Sequence, residues 1–380
     1  MGELFSPRFL WTAVLLATFS VAFAQQTVQT PAIQPEVVQP QPLKWAPVPP
    51  DANELVTSPP RALTDPQDRA IVLGLLDRAR QNYNFFAPKL QPFLLKARFV
   101  SSGQLPYEGQ GTMEQIWNDR FNRWTAKIGS METVRIGIGR NMWSDDPSAP
   151  VPLRVQMARS ALLWPVDSIA PRAMLRAADT SLGGKALICV LSSLGVQDTD
   201  QPRHWVEREY CVEPQNGNLV VWSEAPGHYV VYDYTSSIQF AGHVIAGDVT
   251  IYEAGHQVMK IHVDSIEDAS GINPESLVPS REILAKGPSF MLGLQSRFPF
   301  RVAAPSGTIP NLIQPVIVHA SLDRSGHVLE AEALQNSNPE LAANAIDKLK
   351  SGTWGTSPWQ REVFVDVEFL VGNQQVAAAQ

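Results

Sequence analysis

Pro315-Val-Ile-Val-His-Ala-Ser-Leu322 is followed by the turn Asp323-Arg-Ser-Gly326 and by a second run, Val328-Leu-Glu-Ala-Glu-Ala-Leu334. Both runs alternate in polarity, and the first is rich in β-branched residues, as is typical of a half-buried strand. Gly326 can adopt the positive φ that a tight hairpin turn needs. This stretch therefore predicts two antiparallel strands joined by a short turn.

A helix and a third strand are predicted directly after this hairpin. Ser337-Asn-Pro-Glu340 offers a cap residue, a proline in the first turn and an early carboxylate, all of which mark the start of a helix. One face of that helix carries the apolar residues Leu341, Ala342, Ala345, Ile346 and Leu349. Gly352 ends the helix, and Arg361–Leu370 alternates strongly in polarity. The order predicted between Pro310 and Leu370 is therefore β-β-α-β.

The hairpin, the helix, the Trp354 after it and the closing strand together resemble the C-terminal domain of the TonB family of energy transducers. The resemblance covers residues 305–372, about a fifth of the chain. One departure lies after the helix, where Thr353-Trp-Gly-Thr-Ser-Pro358 replaces the usual aromatic-x-Pro segment of that family. This departure puts the local loop, and with it partner binding, in question.

The resemblance implies a docking role for the last strand. In the TonB family this domain leaves a strand edge open, and a short peptide from an outer-membrane receptor adds to it through backbone hydrogen bonds. In this chain the strand residues that would meet such a partner are Val363, Val365, Val367 and Phe369. The alternative is an ordinary sheet edge that Asp366 and Glu368 protect from pairing.

The N-terminal residues predict export. Arg8 precedes the apolar run Phe9–Val21, and Ala22-Phe-Ala24 forms a small-x-small cleavage site, so residues 1–24 are predicted to be a signal peptide. The alternative is an uncleaved inner-membrane anchor, as a TonB-type transducer would require. We expect a periplasmic protein.

Composition limits the classes of partner. The chain has 380 residues, 44% hydrophobic and 18% charged, with a formal net charge of −7. This length allows two or three globular domains. The acidic balance argues against nucleic-acid binding, because no basic stripe is present to contact phosphates.

The two cysteines, Cys189 and Cys211, both lie in strand-like runs. In an exported protein they are predicted to form one disulfide between adjacent strands, and two buried thiols are the alternative. No cofactor or metal site is predicted, because no second pair of ligands stands at a fixed spacing.

Proline content and hydrophobic patterning divide the chain. Residues 25–66 are rich in proline and predict an extended linker. Residues 67–270 predict a body of successive antiparallel strands, with an opening helix after Asp65 and Pro66 and later helices at Pro152–Leu163 and Ala170–Ala178. Residues 271–304 are read as a connector without a domain of its own. The predicted class is α+β: a large curved antiparallel sheet with covering helices, plus the small β-β-α-β domain at 305–372.

The body resembles the half-barrel fold of periplasmic lipoprotein carriers and lipoprotein-sorting proteins. The segments that carry the resemblance are Gly111–Ile128, the cysteine-containing stretch Ile188–Trp222 and Gln239–Asp268. The resemblance implies an apolar cavity for a lipid or acyl ligand. Tryptophans are the candidates for its lining, and the alternative is that each packs under a helix: Trp117, Trp124, Trp143, Trp205 and Trp222.

The search for catalytic motifs gives no nucleophile elbow, phosphate loop, HExxH motif or dinucleotide fingerprint. His204 and Glu207 are three residues apart but lie in strand or loop sequence, which argues against a helical site. His262 and Asp264 are expected to share a strand face. We therefore predict a non-enzymatic periplasmic protein with a docking domain and a ligand-binding half-barrel. The alternatives are an anchored TonB-type transducer, a purely structural envelope protein and, least favoured, a hydrolase.

Overall fold

The computed structural model describes residues 60–87, 89–103, 107–118, 121–138, 141–195, 203–289, 296–303, 316–334 and 338–370. The predicted signal peptide and residues 25–59 of the predicted linker lie outside this set. Among the described residues, no helix combines the length and apolar character that a membrane crossing requires.

Thirteen strands form one large antiparallel sheet. They are β1 Arg61–Ala62, β2 Phe93–Ser101, β3 Gly109–Trp117, β4 Phe121–Ile128, β5 Met131–Ile138, β6 Asn141–Trp143, β7 Met174–Leu182, β8 Lys185–Ser193, β9 Arg208–Val212, β10 Leu219–Ala225, β11 His228–Asp233, β14 Asp248–Glu253 and β15 His256–Asp268. Their order across the sheet is β1-β7-β8-β9-β10-β11-β14-β15-β2-β3-β4-β5-β6. Side chains alternate between the two faces, and along β2 the residues Phe93, Leu95, Ala97 and Phe99 all face the core. A separate hairpin pairs β12 Ile238–Phe240 with β13 His243–Ile245.

Two helices pack on one face of the large sheet. Helix α1, Pro66–Asn82, begins as predicted, because the Asp65 carboxylate accepts hydrogen bonds from the backbone N–H groups of the first turn. It buries one face only. Helix α2, Leu153–Leu163, is buried at every residue except Ser160. Both helices share a single apolar core with the sheet.

Two sequence assignments in the body need correction. The helix expected at Ala170–Ala178 is wrong, because this segment enters strand β7, where Arg176 reaches the buried carboxylate of Glu207. The predicted linker also ends too late. Arg61 and Ala62 already pair with β7, and α1 starts at Pro66.

A second sheet of four strands lies at the C-terminal end, in the order β16-β19-β17-β18. The predicted β-β-α-β order is present as β17 Val316–Leu322, β18 Val328–Ala333, α4 Pro339–Lys350 and β19 Arg361–Leu370. The predicted connector contributes more than expected. Its residues form a 3-10 turn, Pro274–Leu277, the short helix α3, Arg281–Ala285, and strand β16, Ser296–Ala303, which pairs parallel to β19.

Both faces of the C-terminal sheet are covered. Helix α4 packs on one face, over Val318, Val363 and Val365. The opposite face contacts the large sheet through Ile317, Phe364 and Ala225. Strand β17 is consequently buried at all seven of its residues. The protein is an α+β fold in which a large antiparallel sheet with helices adjoins a small C-terminal sheet.

Candidate functional site

The predicted docking strand is an inner strand of its sheet. Strand β19 pairs with β16 on one side and with β17 on the other, so it offers no free edge. Val363, Val365 and Val367 are fully buried, and Phe369 is nearly so, because they form the core under α4. The prediction of an open edge at these four residues is therefore wrong. The sequence did not reveal β16, which covers that edge.

The outer strands of the C-terminal sheet are also poorly suited to strand addition. Strand β16 has Pro299 within it, and proline lacks the N–H that a pairing strand requires. Its Arg301 is exposed and pairs with Glu368. Strand β18 carries a register irregularity next to Val328, and such bulges protect sheet edges from pairing.

Cys189 and Cys211 form a disulfide between neighbouring strands. They are directly opposite each other in β8 and β9, with their Cα atoms 3.9 Å apart. The bond lies on the side of the sheet away from α1 and α2, in a small cluster with Tyr229 and Tyr252.

The tryptophans predicted to line a cavity do not form one. Trp117, Trp124 and Trp222 are between 1% and 8% exposed and belong to the core under the helices. Trp143 is partly exposed on the terminal strand β6, and Trp205 packs against the junction of the two sheets. The prediction of a shared lining is wrong for this set, because α2 occupies the interior.

The acid–histidine pairs noted in the sequence have other partners. The Glu207 carboxylate pairs with Arg176 and accepts a hydrogen bond from the His204 backbone N–H, so it supports the chain locally. His262 contacts Asp248 across the strands, whereas Asp264 pairs with Arg98. The two residues therefore have different ionic partners, Asp248 for His262 and Arg98 for Asp264.

A concentration of buried ionisable groups lies where the two sheets meet. We call it the buried junction, and it consists of Arg154, His228, Glu253, His319, Glu332 and Glu362. Five of these residues are at most 5% exposed, and the Glu332 side chain is 22% exposed. They come from both sheets and from α2. Isolated charges at such depth are very unfavourable, so pairing must account for their presence.

Glu253 is the centre of the buried junction. Its Oε2 accepts a hydrogen bond from Arg154 at 2.9 Å, and its Oε1 accepts one from His228 Nδ1 at 3.0 Å. His319 Nδ1 bonds to the same Oε1. On its other side, the His319 ring bonds through Nε2 to Glu362 Oε1 at 2.6 Å. His319 therefore bridges a carboxylate of each sheet.

Arg154 and aromatic rings fix the geometry around Glu253. The second guanidinium nitrogen of Arg154 contacts Glu332 at 2.7 Å and the Ser102 carbonyl at 3.2 Å. The His319 ring stacks on Phe364, with centroids 4.3 Å apart and planes inclined by 8°. The His228 ring stands edge-on to it, at 5.3 Å. Both imidazoles are thus held in defined orientations.

This arrangement shifts the pKa values of His319, Glu253 and Glu332. Burial alone would lower the pKa of His319, but the charge of Glu253 and the hydrogen bonds that the ring donates to Glu253 and Glu362 raise the pKa to about 10. Burial would raise the pKa of Glu253, yet His319, His228 and Arg154 hold it well below its usual range. Burial and the neighbouring Glu253 charge raise the pKa of Glu332 to about 7.

Few features of the sequence indicate the buried junction. A histidine inside the apolar run Val316–Leu322 was the available signal, because such a side chain needs a buried partner. Its partners lie 66 and 43 residues away in sequence, so only the tertiary fold brings them together.

Helix α2 carries another buried cation, Arg159. Arg159 of α2 is 4% exposed and bonds to the Gln115 side chain at 3.1 Å. Its guanidinium lies over Trp124 at 4.2 Å and over the half-exposed Trp164 at 5.1 Å. Among the described residues no carboxylate pairs with it, and burial lowers its pKa to about 9.

Comparisons with known proteins give weak similarities. No family model matches the chain, and no curated protein matches it. Among solved structures, a LolA-superfamily protein from Nitrosomonas europaea is similar at 11% identity and a TM-score of 0.37, covering 54% of this chain and 96% of that one. MucB in the Pseudomonas aeruginosa MucA/MucB complex is similar at 12% identity and a TM-score of 0.25, covering 55% of this chain and 61% of that one.

A further structure of MucB, bound to periplasmic MucA, has 10% identity and a TM-score of 0.24, covering 56% of this chain and 60% of that one. The chain thus spans less than two thirds of the MucB chains that it matches. At TM-scores this low, the similarities support no conclusion on fold or function. The TonB resemblance of residues 305–372 finds no support in these comparisons and stays a prediction.

Proposed function

We propose that this chain is an exported, non-enzymatic protein of the cell envelope that acts by binding a partner protein through its outer surface. The observation that carries the proposal is helix α2, which is buried at ten of its eleven residues and packs into the core of the large sheet. A helix in that position leaves the surface as the place for recognition. Residues 67–270 and 305–372 serve as the two domains, with β16 completing the second.

Export is supported by the disulfide and by the predicted signal peptide. Disulfides persist in oxidising compartments such as the periplasm and are rare in reducing ones. Cys189 and Cys211 are bonded to each other on neighbouring strands. We therefore place the protein in the periplasm.

The non-enzymatic assignment is supported by the sealing of the buried junction. A general acid or base must come within hydrogen-bond reach of its substrate. His228, Glu253 and His319 are at most 3% exposed, and each already bonds to a neighbour. Their hydrogen bonds link different parts of the same chain, as in a structural network.

Cross-linking in intact cells, combined with lipid analysis of the purified chain, tests this proposal. We expect a discrete cross-linked protein adduct at sites on the exposed surface, and no acyl lipid at a stoichiometric level. One tightly bound acyl lipid per chain, without any protein adduct, would overturn it.

A second candidate function is binding of an anionic amphiphile, and Arg159 is the observation that favours it. An uncompensated buried guanidinium between two tryptophan rings is suited to a carboxylate or phosphate, because charge-assisted hydrogen bonds to Arg are strong. Trp164, 43% exposed, would mark the entrance. The end of α2 would have to move for such a ligand to enter.

Native mass spectrometry of the Arg159→Gln variant distinguishes the two candidates. If an amphiphile binds there, the wild-type chain carries it and the variant loses it. The matched control is Arg135→Gln, because Arg135 is equally buried but already bonds to the carbonyl groups of Asp146 and Ala149. Equal lipid content in all three proteins would exclude Arg159 as the anchor.

A further inference from the structure

Three side chains of the buried junction have the composition of a metal site. His228, Glu253 and His319 each present one ligating atom, and these atoms lie within 4.8 Å of one another. Two imidazoles and one carboxylate form a donor set that binds Zn²⁺ and other divalent first-row metals in proteins. From this convergence we propose that His228, Glu253 and His319 bind one divalent transition-metal ion, with Zn²⁺ the best-matched.

The donor atoms point to a common place. His228 and His319 both direct Nδ1 at the same atom, Glu253 Oε1. The other carboxylate oxygen is held by Arg154 at 2.9 Å, so Oε1 is the oxygen left to face a metal. An ion between the three donors replaces the proton that otherwise joins His319 to Glu253. Because the donor atoms hydrogen-bond to one another, metal binding requires the three side chains to separate.

The surroundings hold the ligands as metal sites usually do. A metal-binding histidine commonly donates its second N–H to a carboxylate, which fixes the tautomer and the ring orientation. Here Glu362 accepts that bond from His319 Nε2 at 2.6 Å. The Phe364 ring stacks on His319, and Trp222 stands edge-on to His228. Glu362 is therefore a positioning residue for the site.

Carboxylates around the three donors favour a cation at this place. Glu253 and Glu332 both contact the Arg154 guanidinium, and Glu362 contacts His319. A cation held by His228, Glu253 and His319 lies among these carboxylates, which lowers the cost of burying its charge.

The metal would join the two sheets. His228 lies at the start of β11 and Glu253 at the end of β14, both in the large sheet. His319 lies in the middle of β17, in the C-terminal sheet. An ion bound by all three therefore stabilises the contact between the sheets in the folded state. This inference is independent of the proposed partner binding.

Metal titration of the tag-free full-length chain tests the proposal. After stripping with EDTA, we expect one equivalent of Zn²⁺ or Co²⁺ to bind, to raise the melting temperature and to give a Co²⁺ spectrum of low coordination number. X-ray absorption of the Zn²⁺ form should show two imidazole ligands, with Zn–N distances of about 2.0–2.1 Å. This measurement needs no variant.

Variants then locate the metal. Glu362→Gln should weaken Zn²⁺ affinity by about 10–100-fold, as loss of an orienting carboxylate does, and His228→Gln should abolish stoichiometric binding. His262→Gln is the control, because His262 pairs with Asp248 at the surface and should bind metal no differently after substitution. The proposal is overturned if folded wild-type protein binds no metal. It is equally overturned if imidazole ligands are absent from the absorption spectrum, or if His228→Gln and Glu362→Gln bind as tightly as wild type.

Discussion

At the scale of single residues, the protein buries several ionisable side chains. Some of them have ionic partners, and others have polar atoms without a hydrogen-bond partner. Arg154 contacts Glu253 of the large sheet and Glu332 of the C-terminal sheet, so both terminal nitrogens of its guanidinium are paired with carboxylates. Paired buried charges of this kind contribute little net stability but strongly disfavour wrong arrangements of their partners. We infer that Arg154 determines how α2 sits between the sheets.

Asp366 is the contrasting case, and it leads to a prediction about pH. This β19 carboxylate is 3% exposed, and its Oδ1 has no hydrogen-bond partner. Burial, with repulsion from Glu368, raises its pKa to about 6. The folded state therefore binds the proton more tightly than the unfolded state, and Asp366 destabilises the fold progressively as the pH rises from about 4 through about 6.

Replacing Asp366 with Asn should remove this penalty. We expect Asp366→Asn to raise the free energy of unfolding by about 1–3 kcal/mol at about pH 7.5, with no gain near pH 4. Urea denaturation at the two pH values measures the difference. Asp347→Asn is the control, since Asp347 is exposed on α4 and its replacement should change the free energy of unfolding little at either pH. A gain of equal size at both pH values would show that titration of Asp366 is not the cause.

At the scale of elements, a helix or hairpin could be predicted where nearby residues in the sequence mark where it begins and ends. Helix α4 was predicted from Ser337-Asn-Pro-Glu340, and the structure begins it at Pro339 with Asn338 as the cap. The hairpin β17–β18 followed from alternation and from Gly326, whose φ is +82°. These features depend on neighbours in sequence, so they can be read without the fold.

The cap of α4 can be tested directly. Asn338 Oδ1 accepts hydrogen bonds from the N–H groups of Glu340 at 3.1 Å and Leu341 at 3.2 Å. Asn338→Ala should lower the free energy of unfolding by about 1 kcal/mol, because two N–H groups lose their acceptor. Lys348→Ala, at an exposed position of the same helix, should change it by less than about 0.5 kcal/mol. Chemical denaturation compares the two, and equal effects would argue against the cap.

Elements that depend on distant partners could not be predicted. Strand β16 contains Pro299 and two arginines and has no strong alternation, so only its parallel pairing with β19 makes it a strand. Strand β7 was read as a helix because Ala170–Ala178 is rich in helix-forming residues, and tertiary contacts overrode that preference. The same reason explains the buried junction, whose histidines and carboxylates come from five strands of two sheets.

At the scale of the whole molecule, the two sheets meet at a close backbone contact. Gly227, in the turn between β10 and β11, has a φ of +85° and lies against the backbone of Leu334, just after β18. A Cβ atom at this position would overlap the Leu334 carbonyl oxygen. Glycine is therefore required here for two reasons, the backbone conformation and the approach of the other sheet.

A comparison with Gly242 tests these two requirements separately. It has the same φ of +85°, but a Cβ built there meets nothing within 4 Å. Gly242→Ala thus carries the conformational cost alone, whereas Gly227→Ala adds the overlap with Leu334. We expect Gly227→Ala to lower the free energy of unfolding by about 1–3 kcal/mol more than Gly242→Ala does, as overpacking typically costs.

Limited proteolysis, run beside urea denaturation, shows where the extra cost falls. If the contact at Leu334 holds the sheets together, Gly227→Ala should release the C-terminal sheet to protease faster than Gly242→Ala, while the large sheet stays protected. Phe364 and Ile317, which pack against this junction, become exposed when the turn is pushed away. Equal stability and equal cleavage in the two variants would mean that the sheets do not depend on this contact, and the buried junction alone would then have to hold them.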